Sequence, residues 1–284
     1  MSDVSGVVAR LYVYPIKSCS GTEVQESVLT ATGLAMDRAF MLVDADGNFL
    51  TQRELPRMAL IQPLLSNADL ALNAPGIEPL RISLASGELS MRVKIWADLV
   101  AARDMGEAAA KWFSRFLGQP ARLVHFDEKH RRLSNMHWTG GIEAPNRFSD
   151  GYPLLVIGES SLDLFNRRML SAGYAAVGMD RFRPNIVIAG LEPHDEDRVD
   201  AFRIASGGDE ILLKPVKPCS RCPIPNINPA TATSTPEVSD ILQTYRTDPR
   251  VDGAITFGMN AIVLQGENTT LKSGQTVHAD FQFD

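Results

Sequence analysis

Cysteine, long apolar runs and excess basic charge are all scarce in this sequence. Three cysteines among 284 residues, an odd number, give no disulfide framework. No stretch of about 18 uncharged apolar residues could span a membrane, and no basic segment followed by an apolar run opens the chain. With 28 basic and 34 acidic side chains, the formal net charge is −6, which disfavours binding to nucleic acid or anionic lipid. We therefore expect a cytoplasmic protein with neither nucleic acid nor a membrane as partner.

The composition that remains is that of an ordinary globular protein, with 44% hydrophobic and 22% charged residues. A chain of this length favours two domains over one core, and we place them at residues 1–125 and 126–284. Alternating and β-branched runs predict a mainly β fold with a few helices, an α+β class. The runs 80–85 and 89–96 are predicted to pair as a hairpin, as are 39–43 and 49–52.

Besides a short helix opened by Thr235-Pro-Glu237, two longer helices are predicted from apolar residues at helical spacing. The first runs from about residue 104 to Gly118 and buries Trp112. The second covers residues 160–171, with Leu162, Phe165, Met169 and Leu170 facing inward. The segment 214–225 contains four prolines, which predicts that it is neither helix nor central strand.

That proline-rich segment carries Cys219 and Cys222, and the pair is open to four interpretations. A redox dithiol needs a cysteine at a helix N-terminus, which the neighbouring prolines disfavour. A zinc site needs four ligands, whereas only Cys19 and five scattered histidines remain. One thiolate could bind a metal whose other ligands come from a cofactor. The fourth interpretation is two inert loop cysteines.

Basic residues near these cysteines and at strand ends favour the cofactor interpretation. Lys214, Lys217 and Arg221 lie close to the pair in sequence, and cations stabilise a thiolate. Arg181 and Arg183 alternate as they enter a strand. Lys17 and Ser18 follow the first strand, and Arg38 precedes another. Together these residues suit a polyanionic ligand held between two domains.

Several short motifs in a fixed order then resemble a known family. They are Leu11-Tyr-Val-Tyr-Pro-Ile-Lys-Ser-Cys19, Met36-Asp-Arg38, Asn48-Phe-Leu-Thr-Gln-Arg53, Pro56-Arg57, Ser149-Asp150 with Pro153, Phe182-Arg-Pro-Asn185, Cys219-Ser-Arg-Cys222, Asn228-Pro229 and Phe257-Gly258. The chain resembles proteins with an N-terminal β-barrel-like domain and a C-terminal MOSC domain, and it is similar to bacterial relatives of the mitochondrial amidoxime-reducing component. The resemblance implies a strand-rich N-terminal domain followed by a MOSC β-barrel with a few helices.

The resemblance also implies a molybdenum–molybdopterin cofactor (the Mo cofactor) and the residues that hold it. Cys222 matches the cysteine that coordinates the metal, and Asp150 matches an acidic position beside it, a candidate for proton delivery or substrate hydrogen bonding. The other residues expected to contact the cofactor are Lys17, Ser18, Arg38, Arg183, Asn185, Ser220, Arg221 and Asn260.

The activity implied is reduction of N-hydroxylated compounds: hydroxylamines, amidoximes and N-hydroxylated bases. The sequence shows no cysteine-rich iron–sulfur segment, so we expect electrons from a separate ferredoxin or flavin reductase. The alternative is a non-catalytic cofactor-binding or sulfur-relay protein that carries a persulfide on Cys222 or Cys219. A dithiol oxidoreductase is a third hypothesis.

Overall fold

The structure is a computed structural model that describes residues 3–87 and 89–282. Its first half is built mostly of strands with one helix, α1. The elements are β1 (Val4–Val13), β2 (Thr22–Val24), β3 (Glu26–Thr30), β4 (Gly33–Leu34), β5 (Phe40–Val43), β6 (Gln62–Leu65), β7 (Asp69–Ala74), β8 (Ile77–Ser83), β9 (Leu89–Ile95), β10 (Asp98–Asp104), α1 (Glu107–Leu117) and β11 (Arg122–Phe126).

The second half adds two helices and further strands after a long segment, 127–153, without regular structure. Its elements are β12 (Leu154–Gly158), α2 (Glu159–Ser171), β13 (Ile186–Ala189), β14 (Val199–Ser206), β15 (Asp209–Ser220), α3 (Glu237–Gln243), β16 (Thr247–Asp248), β17 (Ala254–Gln265), β18 (Thr270–Lys272) and β19 (Thr276–Phe281). The α+β, mainly β class expected from the sequence is confirmed. No helix in the described ranges is long and apolar enough to cross a membrane.

Seven strands close into a barrel in the order β12-β13-β1-β19-β14-β15-β17, with β17 returning to β12. All neighbours are antiparallel except β12 and β13. Inward side chains from every strand, such as Leu11, Val156, Ile186, Phe202 and Ala261, form one buried cluster inside it. Closure leaves the barrel without a free edge along this ring.

The remaining strands form smaller sheets beside the barrel. One sheet has the order β5-β11-β10-β9 and another the order β6-β7-β8. Helix α1 joins them, because Trp112, Phe113 and Phe116 share a buried cluster with Leu42 of the first sheet and Leu72 of the second. Burial of this apolar face is what stabilises the N-terminal region.

Strands from the start of the chain pair with strands from its end. Strand β1 lies between β13 and β19 in the barrel, and β3 pairs with β18. The division at residues 125 and 126 stays a prediction, but these pairings connect both sides of it. They also fix the position of the loop after β1 against the second half of the chain.

The predicted hairpin between runs 80–85 and 89–96 is wrong. Strand β8 instead pairs with β7 and β9 pairs with β10, in different sheets. Each observed hairpin has two residues between its paired ends, whereas the predicted one needed a longer connection, and short turns favour local pairing. That connection includes Glu88, which lies outside the described residues. Of the predicted partner run 49–52, only Phe49 bridges to Val43.

The proline-rich segment is a strand over part of its length, but not a central one, in agreement with the sequence prediction. Strand β15 runs through Pro215 and Pro218 to Ser220. It pairs with β14 only up to Leu213 and beyond that with β17 alone, with register shifts near both prolines. The prolines therefore lie where β15 has one partner, which is where a missing N–H is tolerated.

Both of the longer predicted helices form, but one side chain predicted to face inward is exposed. Helix α1 ends at Leu117 and Gly118 adopts the left-handed C-cap conformation. In α2, Leu162, Phe165 and Met169 are buried as expected. Leu170 is 60% exposed rather than inward, because it follows Met169 and the next position on a helix lies about 100° around the axis.

A buried polar cluster packs behind the barrel strand β12. Glu196 is fully buried and accepts a hydrogen bond from Ser161 Oγ at 2.8 Å. Burial, with the charge of Asp197, raises the pKa of Glu196 to about 7. The nearby His194 ring contacts Phe257 and Tyr245, and burial lowers its pKa to about 3.

Replacing Trp112 by alanine should lower the free energy of unfolding by about 3–5 kcal/mol. The side chain is 7% exposed and its Nε1 donates to Glu78 O at 2.7 Å, so the change leaves a cavity and an unpaired carbonyl. Urea denaturation measures the loss. Leu170→Ala, on an exposed helix face, is the control and should change stability by less than about 0.5 kcal/mol. A Trp112→Ala loss no larger than the control would contradict burial of this face.

The raised pKa of Glu196 predicts a pH-dependent stability difference. The native carboxyl holds a proton up to about pH 7 that the unfolded chain releases at its ordinary, lower pKa. The free energy of unfolding contributed by Glu196 therefore falls as pH rises through this window. Glu196→Gln does not titrate, so its stability minus that of the wild type should increase between about pH 5 and pH 8.

Urea denaturation of both proteins at several pH values tests this expectation. His194 acts in the opposite direction, losing stability as pH falls, but it is present in both proteins and cancels in the difference. Stability curves that stay parallel over the whole range would show that Glu196 does not change its protonation there.

Candidate functional site

One cavity collects the ten site residues that the family resemblance implies, whereas Arg181, Lys214 and Lys217 do not line it. The space inside it, including its open mouth, is about 790 Å³. The residues predicted from the sequence that line it are Lys17, Ser18, Arg38, Asp150, Arg183, Asn185, Ser220, Arg221, Cys222 and Asn260. They come from both halves of the chain, and their roles as ligands stay predictions.

The barrel brings these residues together at the ends of its strands. Strand β1 ends at Val13 and its loop carries Lys17 and Ser18, while the neighbouring β13 begins just after Asn185. Strand β15 ends at Ser220 beside β17, which carries Asn260. Adjacent strand ends therefore place loops that are far apart in sequence around one opening.

Three cavity residues have a left-handed backbone that is unusual for side chains with a Cβ. They are Ser18 (φ 66°), Arg38 (φ 45°) and Arg183 (φ 58°). Such conformations cost free energy and persist where surrounding contacts fix them, often at binding sites. Three such residues in one cavity wall indicate that the directions of these side chains are set there at a cost in backbone stability.

Lys17 is a buried ammonium group at the base of the cavity. Its Nζ donates to Phe148 O at 3.0 Å and pairs with the Asp150 carboxylate. Burial lowers the pKa of Lys17, and the charge of Asp150 opposes that shift. The Lys17 side chain is 7% exposed, whereas that of Asp150 is 69% exposed, so the carboxylate faces the open space of the cavity.

Asp150 is an ionised carboxylate at neutral pH. Desolvation acts to raise its pKa, but the charge and hydrogen bond of Lys17, with the charges of Arg38 and Arg53, hold the pKa well below the ordinary value. An ionised carboxylate accepts hydrogen bonds and has no proton to donate. Both roles that the sequence left open for Asp150 stay predictions, and an ionised carboxylate suits the hydrogen-bonding one.

Arg132 fixes the loop that carries Asp150, although it belongs to no motif that the sequence analysis identified. Arg132 is buried, donates to the carbonyl oxygens of Arg147 and Ser149 at 2.8 Å each, and pairs with Asp98 at 2.7 Å. A buried guanidinium with several fixed acceptors has little freedom to move. Arg132 therefore acts on the cavity through the loop and not by lining it.

Asn185 holds Arg38 in place. Its Oδ1 accepts from Arg38 Nη1 at 3.1 Å and from the backbone of Leu155, and its Nδ2 donates to Tyr12 O at 3.2 Å. Arg38 Nη1 also pairs with Asp37 at 2.6 Å. The amide of Asn185 is thus largely committed within the protein, and its side chain orients a cation that faces the cavity.

Arg183 lies against Tyr14, as Arg38 does. The guanidinium carbons of Arg183 and Arg38 are 4.3 and 4.2 Å from the Tyr14 ring centroid, within the range of cation–π contacts. Arg183 Nη1 donates to Cys19 O at 2.7 Å, and burial lowers the pKa of Arg183. One aromatic ring thereby supports two of the cavity's cations.

The three cysteines have different environments. Cys19 is buried in the core, and burial raises the pKa of its thiol to about 12. Cys219 Sγ accepts a hydrogen bond from Arg221 Nη1 at 3.0 Å and packs against an apolar cluster. Cys222 is half-buried, lines the cavity and has no hydrogen bond to its sulfur among the described residues.

The cysteine pair does not have the context of a redox dithiol or a zinc site. Cys219 lies in β15 and Cys222 in a loop before a short 3₁₀ turn, not at an α-helix N-terminus. Within the described residues, no group of three or more His, Cys, Asp or Glu side chains could hold a metal ion. A metal at Cys222 therefore needs other ligands from outside the chain.

Family models match most of the chain in two blocks. The MOSC N-terminal beta barrel domain matches residues 5–120, and the MOSC domain matches residues 143–278. Mitochondrial amidoxime-reducing component 1 of Homo sapiens is 34% identical over 85% of this chain and 72% of its own length. Mitochondrial amidoxime reducing component 2 of Rattus norvegicus is 35% identical over 87% and 74%.

The chain belongs to the MOSC-domain family that includes these amidoxime-reducing components. Among solved structures, the YUAD protein of Bacillus subtilis aligns with 99% of this chain and 100% of its own at 11% identity, with a TM-score of 0.42. That likeness is too weak to support any inference.

Both MOSC blocks contribute to the cavity. The N-terminal block supplies Lys17, Ser18 and Arg38, and the MOSC block supplies the residues from Asp150 to Asn260. A single matched domain would therefore hold only part of the cavity wall. The residues of the cavity wall are therefore spread over motifs that lie far apart in the sequence.

Thr51 and Arg53 are among the residues of this MOSC protein that line the cavity without having been predicted as ligands. Thr51 and Arg53 follow β5, inside a stretch whose order of residues supported the resemblance. Arg53 Nε donates to Thr51 Oγ1 at 3.2 Å. Lys17, Arg38, Arg53, Arg183 and Arg221 make five cations against the single carboxylate of Asp150 in the cavity wall.

Proposed function

We propose that this protein is a molybdenum-cofactor-dependent reductase of N-hydroxylated compounds in which the Cys222 thiolate coordinates molybdenum. The observation that carries the proposal is the meeting of an uncommitted thiol with five cations in one cavity of a chain with net charge −6. The curated relatives are named for amidoxime reduction, and that substrate class is extended here to this chain.

The donor set of the cavity fits a pterin-bound metal. A thiolate is a soft ligand suited to a metal whose remaining ligands are brought by the cofactor. Of the two neighbouring cysteines, Cys219 already accepts a hydrogen bond from Arg221, so Cys222 has the freer sulfur. The Nε of Arg221 is buried without a hydrogen-bond partner among the described residues, which leaves a donor for a ligand in this part of the cavity.

The cations suit the rest of the cofactor. Lys17 and arginines form short, charge-assisted hydrogen bonds with phosphate, and a planar guanidinium also matches the polar edge of a pterin. Ser18, Ser220 and Asn260 add neutral hydrogen-bonding groups on the same wall. We assign Asn185 an orienting role, since its amide holds Arg38.

Reduction of an N-hydroxylated compound consumes two electrons and two protons and releases water. When bound, the molybdenum centre would supply the two electrons that break the N–O bond. The chain's own groups have to bind the substrate and bring protons. Lys17 is the proton donor that the structure favours over Asp150, since the lysine carries N–H protons at the base of the cavity while Asp150 is ionised.

We propose that Asp150 accepts a hydrogen bond from the N–H or O–H of the substrate. Its carboxylate is the exposed member of the pair with Lys17, so a substrate reaches it before the lysine. Electrons are proposed to come from a separate ferredoxin or flavin reductase. The alternative of a persulfide carrier on Cys222 or Cys219 would need neither electrons nor an N-hydroxylated substrate.

Cys222→Ala should lose bound molybdenum, while Cys219→Ala should keep it. The reason is that only the Cys222 sulfur is free of a hydrogen bond and lines the cavity. Elemental analysis and pterin fluorescence of protein purified from a molybdate-replete host measure the content per chain, and wild type is expected to hold about one of each.

Activity with benzamidoxime and a ferredoxin–reductase pair then separates the hypotheses. Reduction that depends on Cys222 supports the reductase. Sulfane sulfur on either thiol, with no reduction of the amidoxime, would identify a carrier instead. An equal molybdenum content in wild type and Cys222→Ala would show that Cys222 does not coordinate the metal.

Asp150→Asn should retain molybdenum and raise the KM for the amidoxime by roughly tenfold, the cost of one charge-assisted hydrogen bond. Because the wild-type carboxylate is already ionised, the wild-type rate should not rise toward low pH through titration of Asp150, whereas the loss of its charge in Asp150→Asn lowers the pKa of Lys17 further. Steady-state kinetics at several pH values measure both quantities. A rise in wild-type rate toward low pH that disappears in Asp150→Asn would show that Asp150 delivers protons after all.

A further inference from the structure

Trp96 is held in an unusual conformation beside the cavity. It lies in the two-residue turn between β9 and β10, is 42% exposed and has a φ of 54°. A bulky residue with positive φ is a true outlier, since turns of this kind favour Gly or Asn. Neither burial of the indole nor turn geometry accounts for a tryptophan at this position.

Phe49 and Arg53 hold the indole from two directions. The Phe49 ring centroid is 5.0 Å from that of Trp96, and the Arg53 guanidinium carbon is 4.7 Å from it. The Phe49 N–H donates to Lys94 O at 3.1 Å, which ties its loop to β9. We call Phe49, Arg53 and Trp96 the aromatic shelf.

The aromatic shelf is continuous with the cavity. Arg53 lines both the cavity and the open groove that contains Trp96. Lys17 Nζ lies 5.8 Å from the Phe49 ring centroid. Asp98, which begins β10 directly after the turn, pairs with Arg132, and Arg132 holds the loop of Asp150. The shelf and the reactive groups are thus parts of one rigid wall.

We propose that the aromatic shelf binds the planar aromatic part of the substrate, so that an aryl or heteroaryl N-hydroxylated compound is preferred over an aliphatic one. This inference rests on the proposed reductase function. Planar rings stack on tryptophan and on a guanidinium, and Arg53 supplies such a plane next to the indole. A ligand stacked there would lie next to the cavity that holds Lys17 and Asp150, because Arg53 lines both spaces.

The size and charge of the shelf favour a small molecule over a protein. It offers one exposed indole and one half-buried phenyl ring, far less than the area of a standard protein interface. The residues beside it, Glu54 and Lys94, carry opposite charges, so the groove has no strong net charge for a charged partner protein. A neutral aromatic ring is the better match.

The test compares benzamidoxime with acetamidoxime, two substrates that differ in the ring. Both are measured in the molybdenum-loaded protein with its electron-donor pair. In Trp96→Ala, the KM for benzamidoxime relative to that for acetamidoxime should rise by roughly 3- to 10-fold. Trp96→Phe should retain most of the preference. Tyr174→Ala, which removes an exposed aromatic side chain outside the cavity wall, should leave the ratio unchanged.

Calorimetric binding of benzamide to the loaded protein provides a readout that needs no reduction. Weaker binding of benzamide by Trp96→Ala, together with the shifted ratio, supports the shelf. If Trp96→Ala reduces both amidoximes and the ratio of their KM values stays that of wild type, the proposed role of the aromatic shelf is wrong, and the proposed reductase function remains. If neither amidoxime is reduced, the proposed function fails, and benzamide binding alone decides about the shelf. A higher KM for the electron donor with an unchanged ratio would assign Trp96 to that protein and overturn the proposal.

Discussion

Holding several cations close together, partly out of water, is the constraint on which the rest of this structure depends. Each buried cation needs fixed acceptors, because an unpaired buried charge is costly. The acceptors here are mostly backbone carbonyls: Phe148 O for Lys17, Cys19 O for Arg183 and Phe182 O for Arg221. A carbonyl compensates part of the charge and leaves the cation able to attract an anion. Full carboxylate pairing of every cation would have cancelled that attraction.

This constraint explains why the cavity lies where strands of the closed barrel end. Carbonyls that no longer belong to a sheet ladder are available there, and the loops that carry them come from both halves of the chain. The insertion of β1 between β13 and β19 brings the Lys17 loop next to Arg183. If the first strand paired only with its sequence neighbours, the cations of the N-terminal block would not meet Cys222. The strand order of the barrel therefore determines which cations meet in the cavity.

The helices were predicted well from the sequence and strand pairing was predicted poorly, while the ten residues expected at the cofactor lie in the wall of one cavity. Helical periodicity is local, so α1 and α2 could be read from their own residues, although Leu170 shows that one position of error moves a side chain to solvent. Strand partners are not local. Nothing within residues 80–96 distinguishes pairing with each other from pairing with β7 and β10, and the shorter turns decide it.

The same distinction separates the cavity residues that motifs could find from those they could not. Lys17, Arg38, Arg183 and Cys222 lie in segments whose order along the chain carries the family resemblance. Arg132 does not, because its function is to hold carbonyls of residues 147 and 149, and any exposed arginine would have looked the same in sequence. The prolines of β15 exclude a helix and a central strand, as predicted, but they do not show that the segment forms a strand with one partner, because the number of partners is a tertiary property.

The backbone at Ser18, Arg38 and Arg183 connects stability to binding. Left-handed conformations at residues with a Cβ act against folding of the chain, and so does the mutual repulsion among the five cations of the cavity. A dianionic ligand removes the repulsion without altering the backbone, so its binding free energy adds to the stability of the folded chain. The barrel core and the α1 cluster supply the apolar burial that supports this arrangement before the ligand arrives. A strained, cationic cavity is thus consistent with a protein that is folded first by its cores and completed by its cofactor.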